Sequence, residues 1–382
     1  MQTSGELVMN LFGNKKTDRV GYFDHGPWTT ALRRWINEGY PILKDISLND
    51  KPIPDDVNMF EDKAIPDYRD YFGYDMFSAG GWFDIMPHPG YYEVLEERGD
   101  WVIFRNGAGA VMRKHRDNIS TPEYIEFKMT NRKIWENEYR SLLTDNFRER
   151  VNPVSVKDKL EYRKKKGCWT FYGHQFIWEN MRSSMGNQCM LESMLLDQDW
   201  IHDFNRVYTD LYKNIFSILL EEAGIPDGIW IYEDLAYKND LVCSPMVLEK
   251  MIFPYYKEII DFFHSYDLPV ILHSDGKIDK AIPLMIEAGF CAINPIEVKA
   301  GCDIRKYHNL YGDKLAFIGG FDGRVLETND KCLIKNEVKK LLSYMKECGG
   351  KFLFGVDHSI PDTVSLETFQ YMFDVYKENM YI

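Results

Sequence analysis

Leu268-Pro-Val-Ile-Leu-His273-Ser-Asp275-Gly276 is the stretch on which the fold turns. Val270-Ile271-Leu272 is a short apolar run bounded by Pro269 and Gly276, the signature of a buried parallel strand. It stops at His273 and Asp275. Residues two apart on a strand project to one face. The pair therefore reads as a two-ligand clip for a metal, as an acid/base pair, or as a strand-end turn in which Asp275 caps the next helix. In a (β/α)8 barrel the chemistry sits at the carboxyl ends of the strands. The question is whether other strands of this chain also end in polar residues.

They do. Val20 to Phe23 reads as a strand ending in Asp24-His25-Gly26-Pro27, and a helix with Leu32, Trp35 and Ile36 follows. Cys168 to Tyr172 leads into Gly173-His174, then into a long helix with Trp200, Phe204, Tyr208, Leu211, Ile215 and Leu219 on one stripe. Gly228 to Tyr232 ends in Glu233-Asp234, and Ser244-Pro245 starts the next helix with Ser at the N-cap and Pro at N1. Past His273 come strands ending in Asn294 with Glu297, in Asp322, and in Asp357-His358. Strands alternating with helices over this length predict a (β/α)8 TIM-type barrel, an α/β fold with right-handed crossovers. A doubly wound open sheet is the alternative, but no Gly-x-Gly-x-x-Gly or Walker loop follows any strand. Before the first strand, Leu7, Val8, Leu11 and Phe12 predict an N-terminal amphipathic helix that stops at Gly13, acting as a lid or bottom cap.

Residues from about 45 to 165 lose this rhythm. Trp101 to Gly107 followed by Ala110-Val111-Met112 predicts a hairpin with an Asn106-Gly107 turn. Trp82, Phe83 and His88 sit in an aromatic, proline-rich loop. The segment reads as an excursion that walls the pocket of a single barrel domain spanning the chain. Most of its aromatics also fit a small satellite core.

Composition removes several classes of function. With a formal net charge of −13 over 382 residues, the chain is not a general binder of nucleic acid or of anionic membrane. Seven scattered cysteines without a Cys-x-x-Cys clip suit a reducing cytoplasm better than a disulfide framework. No apolar run approaches membrane-spanning length, and no signal-peptide pattern opens the chain. A Gly-x-Ser-x-Gly elbow is missing, so Ser–His–Asp catalysis has no support.

If the strands close into a barrel, their polar ends meet at one mouth, rich in carboxylate and imidazole and poor in Lys and Arg. Carboxylates crowded in one cavity need protons or cations. A His with carboxylates at about 2.0–2.2 Å is an ordinary Zn²⁺ set. His273, Asp275 and Asp357 are the expected ligands. Glu233, Asp234 or His358 supplies a proton or completes the shell. Asp24, His25, Trp82, Tyr172, Tyr232 and Asp322 are the candidate substrate-facing residues, with Trp82, Tyr172 and Tyr232 suited to packing an aromatic ring. Asn294 and Asp322 read better as helix N-caps at βα turns.

These residues carry a resemblance. His273-Ser-Asp-Gly276, Ile286-Glu-Ala-Gly289, Ile293-Asn-Pro295, Lys299-Ala-Gly301-Cys-Asp303, Tyr311-Gly-Asp-Lys314 and Ile318-Gly-Gly320, with Ser244-Pro245 and Phe253-Pro-Tyr-Tyr-Lys257, resemble the uroporphyrinogen decarboxylase superfamily. The likeness runs from roughly Tyr22 to the C-terminus and is densest from Gly228 to Pro361. It implies a (β/α)8 barrel and one of two activities, decarboxylation or cobalamin-linked methyl transfer.

Residues separate the branches. The decarboxylases carry Arg-x-x-Gly-Arg near the first strand to bind the substrate's carboxylates. This chain has Asp24-His25-Gly26-Pro27-Trp28, with no arginine until Arg33. Methyltransferases acting on coenzyme M bind zinc through His-x-Cys and a later Cys. Here His273 matches, and Asp275 and Asp357 stand at the Cys positions. His with two carboxylates makes a harder, more Lewis-acidic zinc, suited to polarising an ether oxygen. The resemblance thus implies a zinc methyltransferase of a corrinoid-dependent O-demethylase. Its methyl donor would be a small molecule, a methoxylated aromatic, and its acceptor the Co(I) corrinoid (methylcobalamin once methylated) of a partner corrinoid protein. The chain itself lacks the cobalamin-binding Asp-x-His-x-x-Gly motif. A monomer or homodimer in the cytoplasm is expected. The alternatives are a decarboxylase and a non-catalytic tetrapyrrole or corrinoid binder.

Overall fold

The computed structural model describes residues 1–43, 65–116 and 121–382. Twelve strands occur among them: β1 (Gly21–Tyr22), β2 (Met76–Ser78), β3 (Tyr92–Arg98), β4 (Trp101–Asn106), β5 (Val111–His115), β6 (Glu123–Glu126), β7 (Trp169–Gln175), β8 (Gly228–Tyr232), β9 (Val270–His273), β10 (Ala292–Asn294), β11 (Ala316–Phe321) and β12 (Phe352–Val356).

Eight of these form one parallel sheet in the order β1-β12-β11-β10-β9-β8-β7-β2. The ends of that order meet at Asp75, whose N–H donates to Tyr22 O at 2.9 Å, while its own carbonyl accepts from Trp169 N at 3.2 Å. The sheet curls into the expected (β/α)8 barrel. Alternation along the strands sorts the side chains. Phe23, Phe171 and Trp230 pack in the lumen, with Trp230 at 4.9 Å from Phe23 and 5.1 Å from Phe171 between ring centroids. Tyr22 and Phe354 point outward, where Phe354 stacks on Tyr376 of the C-terminal helix at 5.3 Å.

The N-terminal helix, Ser4–Phe12, is closed by a capping box between Thr3 and Glu6. Leu7 and Val8 are fully buried, and Phe12 meets Trp169 edge-on at 5.5 Å. Gly5 N donates to Gly167 O at 2.8 Å, so the helix covers the amino end of the barrel, opposite the chemistry. Buried Asp75 ties these parts together. It accepts from Ser4 Oγ, Tyr22 N and both terminal nitrogens of Arg19 at 2.6–2.8 Å.

Two sequence expectations change in the excursion, of which residues 45–64 and 117–120 lie outside the described residues. First, it contains a barrel strand. β2 has only three residues, too few to register as a periodic run, yet it pairs in parallel with β7. The helix Pro153–Lys165 also belongs with the barrel, packing Val156 and Leu160 into the main core. Second, the hairpin is not a two-residue Asn-Gly turn. β4 and β5 are antiparallel and joined through residues 107–110. The Asn106 carboxamide oxygen accepts from Ala108 N and Ala110 N at 3.0 Å each, and the positive φ falls at Gly109 rather than Gly107. β3 to β6 make a separate four-stranded antiparallel sheet.

Candidate metal centre

β9 ends where the sequence placed it. His273 is its last residue, and Gly276 follows with φ +86°; a Cβ there would lie 2.7 Å from Ala236 C. Only glycine lets the chain turn this close to the loop after β8. The turn brings the two loops into register, and Asp275 N donates to Asp234 Oδ1 at 2.9 Å. Asp234 is held in turn by its backbone: its N–H donates to Glu179 Oε1 at 3.2 Å, and its carbonyl accepts from Trp178 Nε1 at 2.8 Å.

One ligand atom from each of Asp234, His273 and Asp275 lies within 4.8 Å of the others. His273 Nε2 is 3.9 Å from Asp275 Oδ1. That oxygen is buried and has no hydrogen-bond partner. A buried carboxylate oxygen without a donor costs free energy unless a cation or proton meets it. Asp275 Oδ2 faces His358 Nε2 at 3.4 Å. Burial pushes the Asp275 carboxyl up, but the His358 hydrogen bond and the nearby imidazoles outweigh it and bring the group down to about 2. The same hydrogen bond raises His358 above the ordinary histidine range.

The donor set fits a zinc-like ion. A tetrahedral site with bonds of about 2.1 Å needs ligand atoms roughly 3.4 Å apart, so the 3.9 Å pair needs only a small inward movement. One imidazole nitrogen and two carboxylate oxygens leave a fourth position open, as catalytic zinc sites do.

On the barrel side of His273 lies His25. The two rings are edge-to-face at 4.7 Å, and both meet Asn294 Oδ1: His25 through Nε2 and His273 through Nδ1, at 2.7 Å each. Burial, then the adjacent His273, lowers His25 to about 3, so it is a neutral imidazole at neutral pH. An aromatic wall rises beside this cluster. Tyr232 lies 5.4 Å from His273, Trp82 lies 5.6 Å from Tyr232, and Trp82 also covers His174 at 4.8 Å. The indole of Trp82 is 52% exposed, a free aromatic face at the mouth.

Several expected site residues are elsewhere. Asp357 does not join the cluster. Its Oδ1 accepts from Gly323 N at 2.9 Å and its Oδ2 from Val298 N at 2.8 Å, so both oxygens serve the starts of short helical turns. Glu233 is fully buried and faces the helix Ile177–Leu196: it accepts from Phe176 N at 2.6 Å, Trp178 N at 2.8 Å and Glu179 N at 3.2 Å, and from the Tyr256 hydroxyl. Asp24 is buried under the Tyr22 and Tyr74 hydroxyls and Gly26 N. Tyr172 points out of the barrel, its hydroxyl donating to Gly224 O at 2.7 Å. Asp322 caps the helix Gly323–Glu327 and pairs with Arg324 at 2.7 Å. The structure therefore assembles Asp234, His273, Asp275 and His358 with His25, Tyr232 and Trp82, and leaves out Glu233, Asp357, Asp24, Tyr172 and Asp322. Asn294 is the converse case. It reads as a cap in the sequence but lies under both histidines, a placement that Ile293-Asn-Pro295 signals only by lying on the strand beside β9.

Similarity to known proteins agrees with this architecture. No curated protein matches the chain. A methyltransferase from Methanosarcina mazei superposes with a TM-score of 0.67 at 15% identity, covering 99% of each chain, which shows a shared fold. An α-N-acetylgalactosaminidase from Bifidobacterium bifidum aligns at a TM-score of only 0.35 and 9% identity, covering 81% of this chain and 51% of its own. Among the described residues, no helix is long and apolar enough to cross a membrane. The sequence pattern of the uroporphyrinogen decarboxylase (URO-D) family matches residues 179–379, more than half of the chain, and the protein belongs to that family.

Proposed function

We propose that this protein is a zinc-dependent methyltransferase. It would activate a methylated small molecule, a methoxylated aromatic, for transfer of its methyl group to a corrinoid held by a partner protein. The observation that carries this reading is the orphaned Asp275 Oδ1, buried 3.9 Å from His273 Nε2, with Asp234 beside it and the Tyr232 ring 5.4 Å from that of His273. The full-length fold shared with a methyltransferase supports it.

Asp234, His273 and Asp275 would hold the metal. When bound, zinc supplies Lewis acidity to the donor's ether oxygen. The chain's own residues do the rest. Trp82 and Tyr232 lean on each other, their planes 31° apart, and form an aromatic wall against which an aromatic donor would pack. His358 keeps a proton at Nε2 beside Asp275, since its proton affinity is raised there. A partner's corrinoid would accept the methyl group; the electron pair of the broken C–O bond would stay on oxygen, and the His358 proton would neutralise it. Asp24, turned into its tyrosine network, stands where the resemblance implies a carboxylate-binding arginine in a porphyrinogen decarboxylase.

The test is metal content together with methyl transfer from a panel of methoxylated aromatics to a Co(I) corrinoid protein, followed by the cobalt absorption change. About one zinc per chain and transfer from some donors are expected, with both lost in Asp275→Ala. A parent protein that takes up no zinc and transfers no methyl group above the blank overturns the proposal. Asp275→Cys should keep the metal yet slow transfer by roughly 10²–10³, because thiolate donates charge to zinc and weakens its pull on oxygen.

A further inference from the structure

We infer that Asn294 is a positioning residue that fixes the tautomer of His273, leaving the lone pair on Nε2 to face Asp275. The argument begins with which way the carboxamide points. Asn294 is buried, and its Nδ2 donates to Ile318 O at 3.0 Å. Turned over, it would set its oxygen against that carbonyl, acceptor to acceptor, and aim its NH₂ at two ring nitrogens. The network admits one orientation, with Oδ1 toward the histidines.

Oδ1 can only accept. It lies 2.7 Å from His273 Nδ1 and 2.7 Å from His25 Nε2, so both of those nitrogens carry a proton. A neutral imidazole has one N–H. In its neutral form His273 is therefore Nδ1–H, with Nε2 an acceptor. That nitrogen lies 3.9 Å from Asp275 Oδ1, itself without a donor. Two lone pairs thus face each other across a gap that a cation or proton fills. Ligating histidines commonly donate their second N–H to a fixed acceptor, which orients the ring and raises its basicity. Here one side-chain oxygen does this for His273 while pinning His25 behind it, and Asn294 N–H to Ile318 O locks that oxygen to β11.

The tautomer rests on hydrogen bonding alone. Its consequence for metal affinity rests on the zinc reading above. The experiment separates them. Metal-free protein carrying ¹⁵N-labelled histidine is examined by long-range ¹H–¹⁵N correlation, with the His273 ring assigned by its disappearance in His273→Gln. Zinc affinity is then measured by competition with a chromophoric chelator. In the parent the His273 ring is expected as Nδ1–H. Asn294→Gln keeps both an acceptor for the rings and an NH₂ for Ile318 O, and should keep that tautomer and bind zinc within a few-fold of the parent. Asn294→Leu removes the acceptor, so the ring should move toward Nε2–H and zinc affinity should fall about 10–100-fold.

An Nε2–H ring at His273 in the parent, or an unchanged tautomer in folded Asn294→Leu, overturns the inference. Should Asn294→Leu not fold, the parent spectrum decides it alone. A parent with the Nδ1–H ring that takes up no zinc supports the tautomer assignment and overturns the metal reading.

Discussion

Asp275 N–H donates to Asp234 Oδ1 at 2.9 Å, which joins the loop after β8 to the loop after β9 and aligns two carboxylates with one imidazole. Neither carboxylate could hold this position alone. Asp234 depends on Trp178 and Glu179 of the helix Ile177–Leu196, and Asp275 on the glycine turn at Gly276.

The ligand assignment can be separated from its sequence-based version by two variants. Asp234→Ala should lower zinc affinity by at least about 10-fold, because a ligand is removed outright. Asp357→Asn should retain zinc. It should lose about 1–3 kcal/mol of stability instead, since one of two backbone N–H groups at helical starts would face an amide NH₂. Zinc content by elemental analysis and urea unfolding on the same samples make the comparison. Zinc lost from Asp357→Asn and kept by Asp234→Ala would return Asp357 to the ligand set.

Uroporphyrinogen should not be decarboxylated. The resemblance implies an arginine in the decarboxylases at the position of Asp24, whose carboxylate here accepts from the Tyr22 and Tyr74 hydroxyls. Coproporphyrinogen formed above the blank, followed by fluorescence of the oxidised porphyrins, would refute the expectation.

The His358–Asp275 pair predicts a pH dependence of stability in metal-free protein. His358 is raised in the folded state by its hydrogen bond to Asp275. A raised histidine contributes stability that is full below its unfolded value of about 6.5 and lost as pH rises through the folded one. The gap in Tm between the parent and His358→Gln should therefore be larger at acid than at alkaline pH. The pair is part-exposed, so solvent screening holds its worth to about 1 kcal/mol or less. Thermal melts across that range with chelator present test this. A gap that grows toward alkaline pH is incompatible with the assignment.

How much of this was legible in the sequence follows from what each feature depends on. β8, β9 and β12 are apolar runs with polar ends, a local pattern, and each lies where it was read. β2 is three residues long and becomes a strand only because Asp75 and β7 hold it there. The site divides in the same way. That His273 and Asp275 share the mouth follows from their spacing. Which other carboxylate turns toward them does not, because Glu233, Asp234 and Asp357 occupy equivalent strand ends. Their direction is decided by the backbone N–H groups nearby: three for Glu233 and two for Asp357, with Asp234 left to reach across to Asp275. Asn294 was hidden for a similar reason, since its partners lie 21 and 269 residues away in sequence.

Glu233 makes the sharpest distinction between a catalytic and a structural carboxylate. It sits next to Asp234, and burial, then the charge of Glu179, raises it to about 8, a value that would suit a general acid. Its geometry argues otherwise. Three backbone N–H groups at the start of the helix Ile177–Leu196 and the Tyr256 hydroxyl converge on its two oxygens. That helix also carries Trp178 and Glu179, which hold Asp234. In Glu233→Gln the new NH₂ must face a donor, either Trp178 N or the Phe176 and Glu179 pair. The loss should be about 1–3 kcal/mol for an unsatisfied buried backbone group. Zinc affinity should fall with it, because Asp234 is no longer held. Urea unfolding and zinc competition on the metal-free variant read both effects. A Glu233→Gln protein as stable as the parent, binding zinc equally well but without methyl transfer, would show that Glu233 acts on the substrate and that its helix contacts are incidental.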